Sequence, residues 1–372
     1  MTEIFLSTLA ALEDHLAQYH SLANCTIQNL DLRELDIDWE QVNLHHCTIL
    51  GCHLPEGLEN ELEKRGALVL PAEPDLPYHP FRTELYTWQE LMEGFDPEND
   101  QSLDKKIYEH FFAERFHPDI REALSQRIHD HSIDQAIRKL IRTDENGLSE
   151  KRCVGFMGGH GTLRSDRDYH NAALTARLLA QEGYYIVSGG GPGIMEAANL
   201  GAYFAAYEEN DLRATLQRLS EAPHYESSGY QELAREILKE YPDGKGNLAI
   251  PTWFYGHEPS NLFATHIAKY FSNSLREDNL LAICLYGVVF APGSAGTTQE
   301  IFQDAAQNHY GTFGYYSPMV FLSRKRYEIE TLIFPLLKQL AWEREYYDLL
   351  FLADEPEEVV AFIKAHPPVR KE

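Results

Sequence analysis

From residue 153 onward the chain alternates short apolar runs with segments whose apolar residues recur every three or four positions. The runs at 153–157, 184–188, 248–251, 288–291, 319–322 and 349–352 predict strands. Residues 168–182, 193–207, 260–280, 297–309, 327–341 and 355–365 predict helices, the last opened by a capping box of Asp354 and Glu357. Strands that alternate with helices in this way form βαβ units with right-handed crossovers. The expected fold class over residues 151–372 is therefore α/β, a Rossmann-like three-layer parallel sheet. Residues 208–246, with helical patterns at 212–221 and 230–241, exceed what one crossover needs and read as an insertion near the ligand face, a lid or an interface.

Upstream the pattern changes. Ile27, Leu32, Ile37, Val42, Cys47 and Cys52 fall at intervals of five, a period that neither helix nor strand has. This resembles a short pentapeptide-repeat coil with every fifth side chain turned inward, although the usual small residue two places earlier is replaced by Leu30, Leu35 or Glu40. His45, His46, Cys47, Cys52 and His53 also lie here, but two of these cysteines already belong to the inward rhythm, so no metal site is assigned. The sequence LPAEPDLPYHP at 70–80 breaks any helix or central strand and reads as a linker. Residues 105–116 and 120–142 are amphipathic helices, and the polar run DENGLSEK at 144–151 marks a second boundary. Three segments result: a pentapeptide-like N-terminal segment at 1–75, a helical extension at 76–150, and the α/β domain at 151–372.

Charge narrows the possible partners. The 372 residues carry 58 acidic against 32 basic side chains, a formal net charge of −26 that repels a nucleic acid polymer. A small nucleotide is still admissible, because the free N–H groups at a helix start bind phosphate without net positive charge. The five cysteines, Cys25, Cys47, Cys52, Cys153 and Cys284, are scattered and odd in number, which suits a reducing compartment. The first twenty residues lack a basic segment ahead of their apolar stretch, and no apolar run approaches a membrane span. A soluble, cytoplasmic protein without membrane contact is expected.

Three glycine-rich loops follow predicted strands, where the ligands of such sheets bind. The first, GFMGGHGT at 155–162, offers Gly158, Gly159 and His160. The second, SGGGPGIME at 188–196, offers Gly190, Gly191, Gly193, Met195 and Glu196. The third, PGSAGTTQE at 292–300, runs from a strand through a glycine turn into a helix and gathers the N–H groups of Gly293, Ser294, Ala295, Gly296 and Thr297 about an anion. The glycine spacing is not that of dinucleotide binding, and no Walker lysine follows Gly296, so hydride transfer and ATP-driven phosphoryl transfer are disfavoured. Within PTWFYGHEPSN at 251–261, Trp253, His257, Glu258 and Asn261 are candidates to stack on or read a base, with Ser260 and Asn261 open to the alternative of helix capping. His160 facing solvent and Met195 packing in the core are the alternatives for those two.

The motifs GGGPGIME and PGSAGTTQE together resemble those of the Lonely Guy family, once classed as lysine decarboxylases, over residues 152–354. The resemblance implies a nucleoside 5′-monophosphate phosphoribohydrolase that needs no metal or cofactor, takes a nucleoside monophosphate as ligand and assembles as a homodimer or larger homo-oligomer. The family's loop glycines fall on Gly293 and Gly296, its threonine on Thr297, its glutamate on Glu300 and its catalytic arginine on Arg276. Two positions depart from the family pattern: Ser294 replaces a glycine, and Glu277 and Leu280 replace the lysine and methionine that follow the arginine. The chemistry is sound on its own terms. A carboxylate at Glu300, one turn into the phosphate-binding helix, can stabilise an oxocarbenium-like ribose and activate water, while Arg276 binds ribose or phosphate and keeps Glu300 ionised. A non-catalytic nucleotide sensor built on the same pocket is the competing reading. Lysine decarboxylation is a poor third, since the loops offer no lysine for pyridoxal phosphate.

Overall fold

The computed structural model describes residues 3–72, 75–96, 99–144, 147–256 and 259–372, which cluster into two units. One comprises Met1–Leu85 with Phe112–Ala136, the other Tyr86–Phe111 with Ile137–Glu372.

In the first unit β1 (Ile4–Leu6), α1 (Leu9–Tyr19), β2 (Cys25–Gln28), β3 (Thr48–Leu50), α2 (Leu58–Lys64) and β4 (Leu68–Leu70) form a four-stranded parallel sheet in sequence order. Successive rungs pair Ile4 with Cys25, Thr26 with Thr48 and Thr48 with Leu68, the repeat of a small coil. Asn24, Asn29, His46 and Gly51 take positive φ at its corners, a conformation asparagine and glycine tolerate best. Ile27, Leu32, Val42, Cys47 and Cys52 are buried and Ile37 packs against them, so the five-residue rhythm does point inward. Burial pushes the Cys47 thiol up to about 12, which suits packing better than metal ligation.

The second unit opens with α3 (Trp88–Leu91), α4 (Leu103–Glu114, as far as Phe111) and the end of α5 (Ile120–Ile141). There follow β5 (Cys153–Met157), α6 (Arg167–Gln181), β6 (Tyr185–Ser188), α7 (Ile194–Tyr203), α8 (Glu209–Leu219), α9 (Tyr230–Glu240), β7 (Leu248–Ala249) and β8 (His266–Ile267). Then come α10 (Asn273–Ile283), β9 (Val288–Phe290), α11 (Ala295–Tyr310), β10 (Tyr315–Tyr316), β11 (Met319–Leu322), α12 (Ile333–Leu340), β12 (Leu350–Ala353), α13 (Pro356–Ala365) and β13 (Val369–Arg370). Among the described residues β12-β11-β9-β5-β6-β7-β8 form one parallel seven-stranded sheet, and β10 pairs with β13 antiparallel. The chain proceeds outward from β5 through β6, β7 and β8, then returns to place β9 on the other side of β5. That reversal is the topological switch point, the place where open α/β sheets bind ligands.

Three differences from the predicted elements have local causes. Residues 260–280 do not form one helix: Leu262, Phe263, Ala264, Ile267, Ala268, Tyr270 and Phe271 are all buried, so the segment is enclosed on every side rather than along one stripe. Ile267 instead exchanges backbone hydrogen bonds with Tyr86, and the helix starts only after Ser272. Residues 327–341 divide into a π-turn at Lys325–Glu330 and α12, because Pro335 is tolerated only in the first turn of a helix. The capping box of α13 uses Glu355 and Glu358, one residue beyond the expected pair, since Pro356 occupies the first helical position. Residues Tyr86–Phe111 belong with the α/β unit through that Tyr86 pairing and through buried Asp104, which accepts hydrogen bonds from Trp253 Nε1 at 2.8 Å and Lys269 Nζ at 2.9 Å.

Candidate functional site

The loops after β5 and β9 are joined directly: the Gly159 N–H donates to the Pro292 carbonyl at 2.9 Å. The Gly159 carbonyl in turn accepts from Ile194 N–H at 3.1 Å, tying in the start of α7. The second glycine loop is held from beneath. Gly190 N–H donates to Ser188 Oγ at 3.0 Å, and Ser188 Oγ donates to Asn199 Oδ1 at 2.6 Å. Asn199 also meets Asn247 at 2.8 Å and Asn261 at 3.0 Å, and all three asparagines are buried. These bonds close three flexible sequences into one rigid rim around a cavity of about 580 Å³.

Gly158, Gly159 and His160 line that cavity from the first loop, Gly190, Gly191 and Met195 from the second, and Ser294, Ala295, Gly296 and Thr297 from the third. Arg276 and Glu300 complete the wall, with Arg276 Nη1 lying 3.3 Å from Glu300 Oε1. The pair comes from two helices, α10 and α11, joined here by two further links: Gln299 Nε2 donates to Glu277 Oε2 at 2.8 Å and Gln303 Nε2 to Asp278 Oδ1 at 2.7 Å. Burial raises the Glu300 carboxyl above the usual carboxylate range; Arg276 pulls it back down and Glu277 pushes it further up. The Arg276 Nε is buried without a partner. The first N–H groups of α11, at Ala295, Gly296 and Thr297, have no carbonyl a turn behind them within the helix, and these residues line the same cavity.

Other sequence candidates do not line this cavity or lie outside the described residues. Glu196 is 1 % exposed, and its Oε1 accepts from Arg164 Nη2 at 2.6 Å while its Oε2 accepts from Arg164 Nε at 2.8 Å, Tyr169 Oη at 2.7 Å and Tyr230 Oη at 2.8 Å, so the carboxylate is committed to the core and does not line the cavity. It anchors the 208–246 insertion instead: Arg164 also donates to the Tyr230 carbonyl at 3.1 Å, and α8 and α9 pack with α7 in the core. Gly193, with φ of 67°, and Gly293 support the loops from behind. A side chain on Gly193 would meet the Gly159 carbonyl at 2.3 Å, and one on Gly293 would meet Thr297 Oγ1 at 2.1 Å. Glu258, with His257, lies outside the described residues. Trp253 and Asn261 serve the core rather than a base.

Thr252, Tyr255 and Gln299, which the sequence did not single out, line the cavity, as does Glu277, which the sequence marked only as a departure from the resembled motif. The signal for the first two was at hand, because 251–261 follows a strand end, but its more conspicuous tryptophan and asparagine drew the assignment. Nothing local marked Arg326, whose Nη2 donates to the Gly293 carbonyl at 2.6 Å from the turn after β11. Asp304, two turns along α11, is 3 % exposed with Oδ2 unpartnered, and burial pushes its carboxyl up to about 8. Among the described residues no cluster of metal-binding side chains occurs, and no helix is long and apolar enough to cross a membrane.

The sheet order, the switch-point cavity and its glycine rim define the second unit as a Rossmann-like α/β domain. More particularly, residues 151–206, which hold β5, the first two glycine loops and α7, match the SLOG cluster4 family. The solved structures that align with the chain include the molybdenum cofactor binding protein from the phototrophic bacterium Rippkaea orientalis, at 16 % identity over 58 % of this chain and 97 % of that one with a TM-score of 0.37, and the Moco carrier protein from Chlamydomonas reinhardtii, at 16 % identity over 58 % and 97 % with a TM-score of 0.35. No curated protein matches the sequence.

Proposed function

We propose that the protein hydrolyses the N-glycosidic bond of a nucleoside 5′-monophosphate, releasing the free base and ribose 5-phosphate. The observation that carries this reading is the Arg276–Glu300 pair, 3.3 Å apart on the wall of a cavity that Ser294, Ala295, Gly296 and Thr297 also line. A 5′-phosphate held by the N–H groups at 294–297 fixes the ribose one helical turn away, within reach of Glu300. Departure of the base leaves positive charge on the ribose, which the carboxylate stabilises before taking a proton from the attacking water. Arg276 favours the ionised form of that carboxylate against the effect of burial. Because burial raises the Glu300 carboxyl, the acidic limb of the activity profile should lie above the range of an ordinary glutamate.

The test is base release from a panel of nucleoside monophosphates, followed by chromatography beside Glu300→Gln. Release that falls at least about a hundredfold in the variant supports the enzyme. The competing reading, a nucleotide sensor, draws on Glu277: it adds a second carboxylate to the cavity wall where the resembled motif carries a lysine. Nucleotide binding without release from any member of the panel would favour it.

A further inference from the structure

We propose that Arg326 is a positioning residue for the phosphate site, locking the Gly293–Ser294 peptide so that its N–H faces the cavity; this rests on the reading of 293–297 as an anion-binding loop. Each carbonyl of the turn is occupied in sequence. Ala291 O accepts from Tyr327 Oη at 2.6 Å, Pro292 O from Gly159 N–H at 2.9 Å, Gly293 O from Arg326 Nη2 at 2.6 Å, and Ser294 O from Thr298 N–H and Oγ1, both at 3.0 Å.

In a trans peptide the carbonyl and the next residue's N–H point in opposite directions. Drawing the Gly293 carbonyl towards Arg326 therefore directs the Ser294 N–H the other way, and Ser294 is a residue of the cavity wall. Without the guanidinium, rotation of that peptide would present a carbonyl oxygen to the anion and convert an attractive site into a repulsive one. Glycine at 293 makes such rotation easy, since it has no Cβ to resist it. The lock is charged and comes from a different strand end, so it adds positive potential behind a cavity whose charged side chains, among the described residues, are Arg276, Glu277 and Glu300. Arg326 is itself restrained by Glu330, at 3.5 Å, and its backbone N–H donates to Ser323 Oγ at 3.2 Å.

Arg326→Ala in the full chain tests the assignment, with inorganic phosphate as the probe in calorimetry and nucleoside monophosphates in steady-state assays. Phosphate affinity should fall and KM rise by about tenfold, with kcat changed by less than about threefold. Any cleavage of a nucleoside lacking the phosphate should be unaffected. Arg326→Lys, which keeps the charge and a donor, should recover most of the loss, and the double variant Arg326→Ala/Glu330→Gln should bind phosphate as weakly as Arg326→Ala, showing that the freed Glu330 carboxylate is not the cause. Unchanged phosphate affinity in Arg326→Ala, whether or not its melting temperature drops, overturns the proposal. Native protein that binds no phosphate overturns the loop reading as well. Phosphate binding without nucleotide hydrolysis refutes the reaction alone and still allows the lock to be judged by calorimetry.

Discussion

Asp304 makes the stability of the α/β unit depend on pH in a direction opposite to that of an ordinary surface carboxylate. The side chain is 3 % exposed, Oδ2 has no partner, and Oδ1 has only a 3.4 Å contact from Asn308 Nδ2. Desolvation with no compensating cation pushes the carboxyl up to about 8 in the folded protein, against about 3.9 in an unfolded chain. Between these values the native state holds a proton that the unfolded state has released. Stability is therefore full below about pH 4 and declines by up to about 1.4 kcal/mol per pH unit as the pH rises towards 8. Asp304→Asn has nearly the same shape and does not titrate. Relative to the native protein it should gain with pH, the difference between pH 4 and above 8 amounting to about 5 kcal/mol. Urea unfolding of both proteins from pH 5 to 8, followed by tryptophan fluorescence, measures this, since Trp88, Trp253 and Trp342 lie in the same unit as Asp304. A constant offset from the new amide is immaterial, because the slope is what is read. A gap between the two proteins that stays constant from pH 5 to 8 would refute the claim that Asp304 is protonated in the fold.

The buried Arg164–Glu196 pair gives a second expectation. Glu196→Ala strands a guanidinium that is 1 % exposed and should cost about 3–5 kcal/mol, with faster hydrogen exchange across 208–246 as the first local sign; exchange unchanged there would show that the insertion is held by packing alone. Gly201→Ala sets the packing of α6 on α7 against helix propensity. The new Cβ would lie 1.9 Å from the Ala173 carbonyl, so the variant should lose at least about 2 kcal/mol in denaturation, whereas propensity by itself would make it more stable by about 1 kcal/mol.

The sheet could be read from the sequence because its strands are buried on both faces, and such strands appear as unbroken apolar runs whatever surrounds them. The same rule explains the failure at 260–280, where a buried irregular segment carries as many apolar residues as a helix stripe would and only the pairing of Ile267 with Tyr86, some 180 positions earlier, decides its form. The candidate site was legible in so far as topology forces loops to strand ends. Glycine loops after the strands at 153–157 and 288–291 had to become neighbours once those strands paired, as Gly155 with Val288 does. What the loops alone could not show is direction. Met195 and Glu196 follow the same glycines, yet consecutive helical residues point about 100° apart, so when Met195 turns into the cavity Glu196 must turn away. Sequence spacing brought both to the loop, and the helix period allowed only one of them to face a ligand. Arg326 shows the converse: its bond to the carbonyl of Gly293 follows from β11 lying beside β9, a relation between strands that no window of sequence around either contains.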